Sequence, residues 1–171
     1  MVGVLAVVAL AAGGYFFGQD SGDAGRDRGL GDSAPDIRLP ELRGDGEVVL
    51  ANLRGRPVVV NFFASWCVPC RKEMAAFQAA SSRLGDRVSF VGVDHQDDRK
   101  GGQQLLADTG VRYPTGYDPD GTIAARYGLF GMPTTVFIGT DGKVLDKHTG
   151  ELSQSDLEDA IARLFGIRAT P

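Results

Sequence analysis

Cysteine is nearly missing from this chain: 171 residues hold only Cys67 and Cys70. Two thiols are too few for a disulfide-stapled scaffold and too few for a four-thiolate zinc site. Histidine is as scarce, and His95 and His148 stand too far apart for the close spacing of a small zinc finger. Basic residues are also short, since 18 Lys and Arg against 22 Asp and Glu leave a net charge of -4. Phosphate backbones are bound by clustered cations, so nucleic acid is set aside as a partner. The length suits one domain with appendages rather than two domains, and no internal repeat is visible.

Charge is absent altogether from residues 1–18, "MVGVLAVVALAAGGYFFG". An apolar run of this length is near the roughly 17 to 25 residues that cross a bilayer as a helix. Tyr15, Phe16 and Phe17 resemble an interfacial aromatic end, and the small-residue pattern Ala9-Leu10-Ala11 lies inside the run rather than after it. The expectation is an uncleaved membrane anchor, with a cleaved signal peptide and a buried helix as the alternatives. Residues 19–34, rich in Gly, Asp and Arg, read as a flexible linker. Such a tether spans roughly 20 to 24 Å on average.

From residue 35 to 171 the pattern is that of a folded domain. Two short extended runs around Gly44-Asp45-Gly46 predict a β-hairpin. "VVVNFFA", residues 58–64, is a continuous β-branched and aromatic run, expected of a strand buried on both faces. A helix is predicted from Cys67 or Val68 to Leu84, where Gly85 stops it. A second buried strand over residues 87–94, a helix over 99–109 and a short helix near 122–127 follow. "TTVFI" and "KVLDKHTG" flank the turn at residues 139–142 as a second hairpin. Ser153, with Asp156 three residues on, caps a last helix ending at Phe165. This order predicts an α/β sheet flanked by helices.

The two cysteines fall where strand turns into helix, as Cys67-Val68-Pro69-Cys70. Unpaired N–H groups and the macrodipole at a helix start stabilise an anion. A thiolate is the nucleophile in disulfide exchange, so Cys67 is placed to attack. Cys70, one turn on, is within disulfide reach and can resolve a mixed disulfide. Pro69 suits a first helical turn and holds the loop. Half of a zinc site is the competing reading, and the histidine spacing argues against it.

"WCVPC" after a buried strand, together with "GMPTTVFI" at residues 131–138, resembles the thioredoxin fold. The N-terminal hairpin running into "LRGRPVVVNFFASWCVPCRKEM", the helical insert before "YPTGYDPDG" and the apolar N-terminus narrow this. Together they are similar to the extracytoplasmic TlpA, ResA and DsbE type of thiol-disulfide oxidoreductase, over residues 35 to 166. Members of that type act in bacterial cytochrome c maturation or in periplasmic disulfide traffic.

The resemblance implies a thioredoxin-like fold with an N-terminal β-hairpin and a central helical insert. It matches Pro133 to the cis-proline facing the active-site disulfide, with the backbone of Met132 beside a bound substrate strand; a trans-proline at a strand start is the alternative. Where thioredoxins carry an aspartate, six residues before the first cysteine, this chain has Asn61, which cannot titrate. Glu73 resembles the glutamate of ResA-type proteins and is expected to accept the proton of Cys70, its pKa raised if buried; a solvated helix residue is the alternative. Trp66 is expected either to wall the site beside Cys67 or only to pack. Arg71 and Lys72 assist the thiolate or are simply solvated.

The implied activity is thiol-disulfide exchange with protein substrates, such as an apocytochrome c, outside the cytoplasm. It needs a membrane electron donor or acceptor, no cofactor and no metal, and it suits a monomer. An oxidase of exported proteins and a redox-inactive binding module are the alternatives. A peroxidase of the peroxiredoxin type lacks its Thr-x-x-Cys site, because Ala64 precedes Cys67 by three.

Overall fold

A computed structural model describes residues 29–168. The expected anchor over residues 1–18 and most of the expected linker lie outside the described residues. Among those described, no helix is long and apolar enough to cross a membrane.

Among the described residues, seven strands and four α-helices follow in the order β1 (Arg38–Pro40), β2 (Glu47–Val49), β3 (Val58–Phe63), α1 (Val68–Leu84), β4 (Ser89–His95), α2 (Arg99–Thr109), β5 (Thr115–Asp118), α3 (Thr122–Arg126), β6 (Thr134–Ile138), β7 (Val144–Thr149) and α4 (Gln154–Phe165), with a 3-10 turn at Leu50–Leu53. The main sheet runs β5-β4-β3-β6-β7, parallel from β3 to β5 and antiparallel through β6 and β7. A separate hairpin pairs β1 with β2.

β3 is the centre of the sheet, and all six of its residues are buried. Alternation sends Val59 and Phe63 toward the core shared with α1, α2 and α4, through Phe77, Leu105 and Leu157. Val58, Val60 and Phe62 face the opposite core, filled by Ile37 and Val48 from the N-terminal segment and by Ile123 and Tyr127 around α3. That two-sided burial is why the run reads as uniformly apolar in sequence.

β5 has no strand signature. Pro114 and Pro119 bracket it and Gly116 interrupts it, all of them turn residues. Pairing with β4 forms it nonetheless. Gly116 is required there by close approach, since a Cβ would stand 2.7 Å from the Cβ of Leu39. Within the stretch read as linker, residues 29–34 lie along the sheet's β7 edge. Gly31 N–H donates to Val144 O at 2.8 Å, and Val144 N–H to Asp32 O at 2.9 Å. Backbone groups of a sheet edge need partners, and this segment supplies them.

Candidate active site

β3 ends at Phe63, and a tight turn closed by Cys67 N–H donating to Ala64 O at 3.1 Å leads into α1. Cys67 is the N-cap of α1, with Pro69 in its first turn. The two sulfurs form a disulfide, with Cα atoms 5.3 Å apart. The Cys70 N–H points at Cys67 Sγ, 3.3 Å away. A sulfur at this cap is the one that a helix start holds as an anion once the bond is reduced. Cys67 keeps 5% exposure, whereas Cys70 is sealed.

Glu73 lies one further turn along α1 and is 1% exposed. Its carboxylate accepts from Asn61 Nδ2 at 2.7 Å and from the Leu152 N–H at 2.9 Å. Burial pushes its pKa up from 4.5 to about 7, in spite of those two hydrogen bonds, which favour the anion; the Glu151 charge adds to the rise. A carboxyl with that value is half-ionised near neutrality, as a proton acceptor should be. Asn61, which cannot titrate, fixes the carboxyl's position. Asn61 Oδ1 is itself buried and without a partner.

The Met132–Pro133 peptide is cis. Met132 packs partly buried against the core that holds both cysteines. Trp66 is 61% exposed, and its indole N–H donates to Gln96 O at 3.2 Å. The ring is therefore mostly exposed and is held at its edge by the Gln96 carbonyl. With Leu129, Phe130 and Met132 it lines an open groove of about 560 Å³. Phe130 is 89% exposed at the groove's rim. Arg71 is exposed and pairs with Asp108 at 3.0 Å. Among the described residues no three His, Cys, Asp or Glu side chains gather as a metal site needs.

Phe130, Gln96 and Ser65 escape a sequence reading. Phe130 carries a signal, an aromatic in a Gly-rich loop just before "MP". The other two are visible only in three dimensions, since Gln96 holds Trp66 through a carbonyl and Ser65 is bound by Asp97 of another loop.

Residues 30–162 match the Redoxin family. The chain is 31% identical over 140 residues to the thiol:disulfide interchange protein DsbE of Pseudomonas fluorescens, covering 81% of this chain and 76% of that one. It is 26% identical over 152 residues to the thiol-disulfide oxidoreductase ResA of Bacillus thuringiensis, covering 88% and 84%. Among solved structures it resembles a DsbF homologue from Corynebacterium diphtheriae, with a TM-score of 0.71, 29% identity and coverage of 78% and 87%. A secreted Mycobacterium tuberculosis disulfide oxidoreductase homologous to DsbE matches with a TM-score of 0.68, 27% identity and coverage of 75% and 96%. A disulfide at the head of the first long helix is where such proteins would have to carry their chemistry, and this chain belongs to the Redoxin family as one of its thiol-disulfide oxidoreductases.

Proposed function

We propose that the protein reduces disulfides of exported proteins, with an oxidised cysteine pair of an apocytochrome c as its substrate, while tethered outside the cytoplasm by residues 1–18. A membrane electron donor restores its dithiol, and the working unit is a monomer. The observation that carries this reading is the graded burial of the site: Cys67 at an opening, Cys70 sealed behind it and Glu73 buried one turn further. The likeness to DsbE and ResA supports the substrate class.

In the reduced protein the Cys67 thiolate attacks a substrate sulfur. One bond forms between Cys67 and the substrate, the substrate S–S bond breaks, and a substrate thiolate leaves. Cys70 then gives its proton to Glu73 and attacks Cys67 Sγ. The Cys67–Cys70 disulfide closes, the second substrate thiolate leaves, and two electrons have passed to the substrate. Met132 offers backbone beside the disulfide, Pro133 and Pro69 hold the two loops, and Trp66 and Phe130 flank the incoming chain.

Cys70→Ser removes the resolving thiol, so a mixed disulfide between Cys67 and apocytochrome c should accumulate and survive non-reducing electrophoresis. Exported proteins trapped at random, with no enrichment of apocytochrome, would overturn the substrate assignment.

A further inference from the structure

A second buried carboxyl, Asp94, takes no part in the exchange steps. Asp94, near the end of β4, is 0% exposed, and neither of its oxygens meets a hydrogen-bond donor. Its register partners are Phe63 on β3 and Tyr117 on β5. α2 presses down on it so closely that a Cβ on Gly102 would fall 2.2 Å from Asp94 Oδ2. Gly101 is the same case for Ser65, whose Oγ would be 2.7 Å from an added Cβ. Two glycines inside a helix cost about 1 kcal/mol each relative to alanine. Here they leave room beneath α2 for the Asp94 carboxyl and for Ser65.

The Asp97 carboxylate accepts from the Ser65 N–H and from Ser65 Oγ at 2.7 Å. It also accepts from the Asp98 N–H at 2.8 Å. The Asp94 carboxyl lies close enough to interact with it. Two carboxyl groups can share such a contact only if one carries a proton, and Asp97, with three donors already aimed at it, is the one held as the anion. Ser65 opens the turn that delivers Cys67, and the next residue, Trp66, is tied to the same loop through Gln96 O.

We propose that Asp94 is a positioning residue for the nucleophile: as the neutral acid beneath α2 it donates its O–H to Asp97, keeping that carboxylate locked onto Ser65 and the Cys67 turn in place. The surrounding charges fit. Asp97 and Asp98 on the adjoining loop disfavour a second anion, and Arg99 of α2 favours it. Arg99, however, directs its guanidinium to Glu41 O and over the Tyr117 ring. His95 turns instead toward Asp118, 3.8 Å away. Burial first, and then Asp97, push the Asp94 pKa from 3.8 up to about 8. Below that pH the clamp is closed; above it two adjoining anions repel and the turn loosens.

The proposal rests on Cys67 as the attacking thiol, but its test needs no exchange. Trp66 is the sole tryptophan and reports the turn directly. In the oxidised full-length protein neither cysteine titrates, and a Glu73→Gln background removes the other raised carboxyl. Tryptophan emission followed from pH 6 to 10 should show a transition near pH 8. Asp94→Asn, whose amide can donate to Asp97 at any pH, should abolish the transition. In the protein with Glu73 intact, Asp94→Asn should leave the exchange rate at pH 7 within about twofold, whereas Asp94→Ala should lower it several-fold. A transition that persists in Asp94→Asn, or is missing from the parent, overturns the proposal. So does Asp94→Ala exchanging as fast as the parent. If Asp94→Ala does not fold, the nearly isosteric Asn variant still decides. Failure of exchange with the transition intact would count against the role of Cys67 alone.

Discussion

Replacing Glu73 by glutamine separates the energetic consequence of its burial from its shape. A carboxyl that titrates near pH 4.5 when unfolded and near 7 when folded binds its proton more tightly in the native state. The contribution of Glu73 to stability therefore falls as pH rises from about 4.5 to about 7 and is level above that. At about 1.4 kcal/mol per pH unit, the full cost of ionising Glu73 is about 3 kcal/mol. Glutamine never pays it. The amide also fits the local hydrogen bonds, because Asn61 can turn its unpartnered Oδ1 toward the new N–H₂ while Leu152 N–H keeps an acceptor. Guanidinium unfolding of the oxidised protein and of Glu73→Gln, from pH 5 to 9, measures the difference with the Asp94 contribution common to both. Relative to its value at pH 5, the variant's advantage should grow by about 2 to 3 kcal/mol by pH 8. The same variant should slow exchange several-fold at pH 8, since Cys70 has lost its proton acceptor. A stability difference that does not change with pH, or one that shrinks toward pH 8, would refute the reasoning.

Asn61→Asp places a second carboxyl where Asn61 now stands 2.7 Å from Glu73. The pair should hold a proton past pH 8, and at that pH the variant should lose about 2 to 3 kcal/mol by chemical denaturation. Phe77→Ala, at a fully buried side chain of α1, should cost about 3 to 5 kcal/mol at any pH. Ser153→Ala removes the hydroxyl that accepts from the Asp156 N–H at 3.2 Å, and about 1 kcal/mol should disappear from the thermal midpoint analysis. Trp66→Ala should leave stability within about 1 kcal/mol, because the ring is mostly exposed, while slowing exchange with protein substrates more than reduction by dithiothreitol.

Elements that carry their own local signal were legible in the sequence. β3 is apolar on both faces because it is the middle strand, and α1 runs from its Cys67 cap to Gly85 as the spacing of Met74, Phe77 and Leu84 predicts. The two thiols, Glu73 and the cis Met132–Pro133 bond were reachable through residue chemistry and family likeness together. β5 was hidden because its prolines and glycine speak for turns, and only β4 makes it a strand. Residues 29–34 looked like linker because their hydrogen bonds are made by backbone, which composition does not reveal. Asp94 was silent for a similar reason: an aspartate closing a buried strand is an ordinary sequence until Gly102 is seen to lie on it.

The most direct test of the central claim is the reduction potential of the Cys67–Cys70 pair in the full-length protein, equilibrated in defined dithiothreitol or glutathione buffers. A value of about -220 mV or lower, toward thioredoxin, is predicted and lets the pair donate electrons to an oxidised apocytochrome. A value of about -120 mV, that of a strong oxidant such as DsbA, would contradict the reductase and assign the protein to disulfide formation.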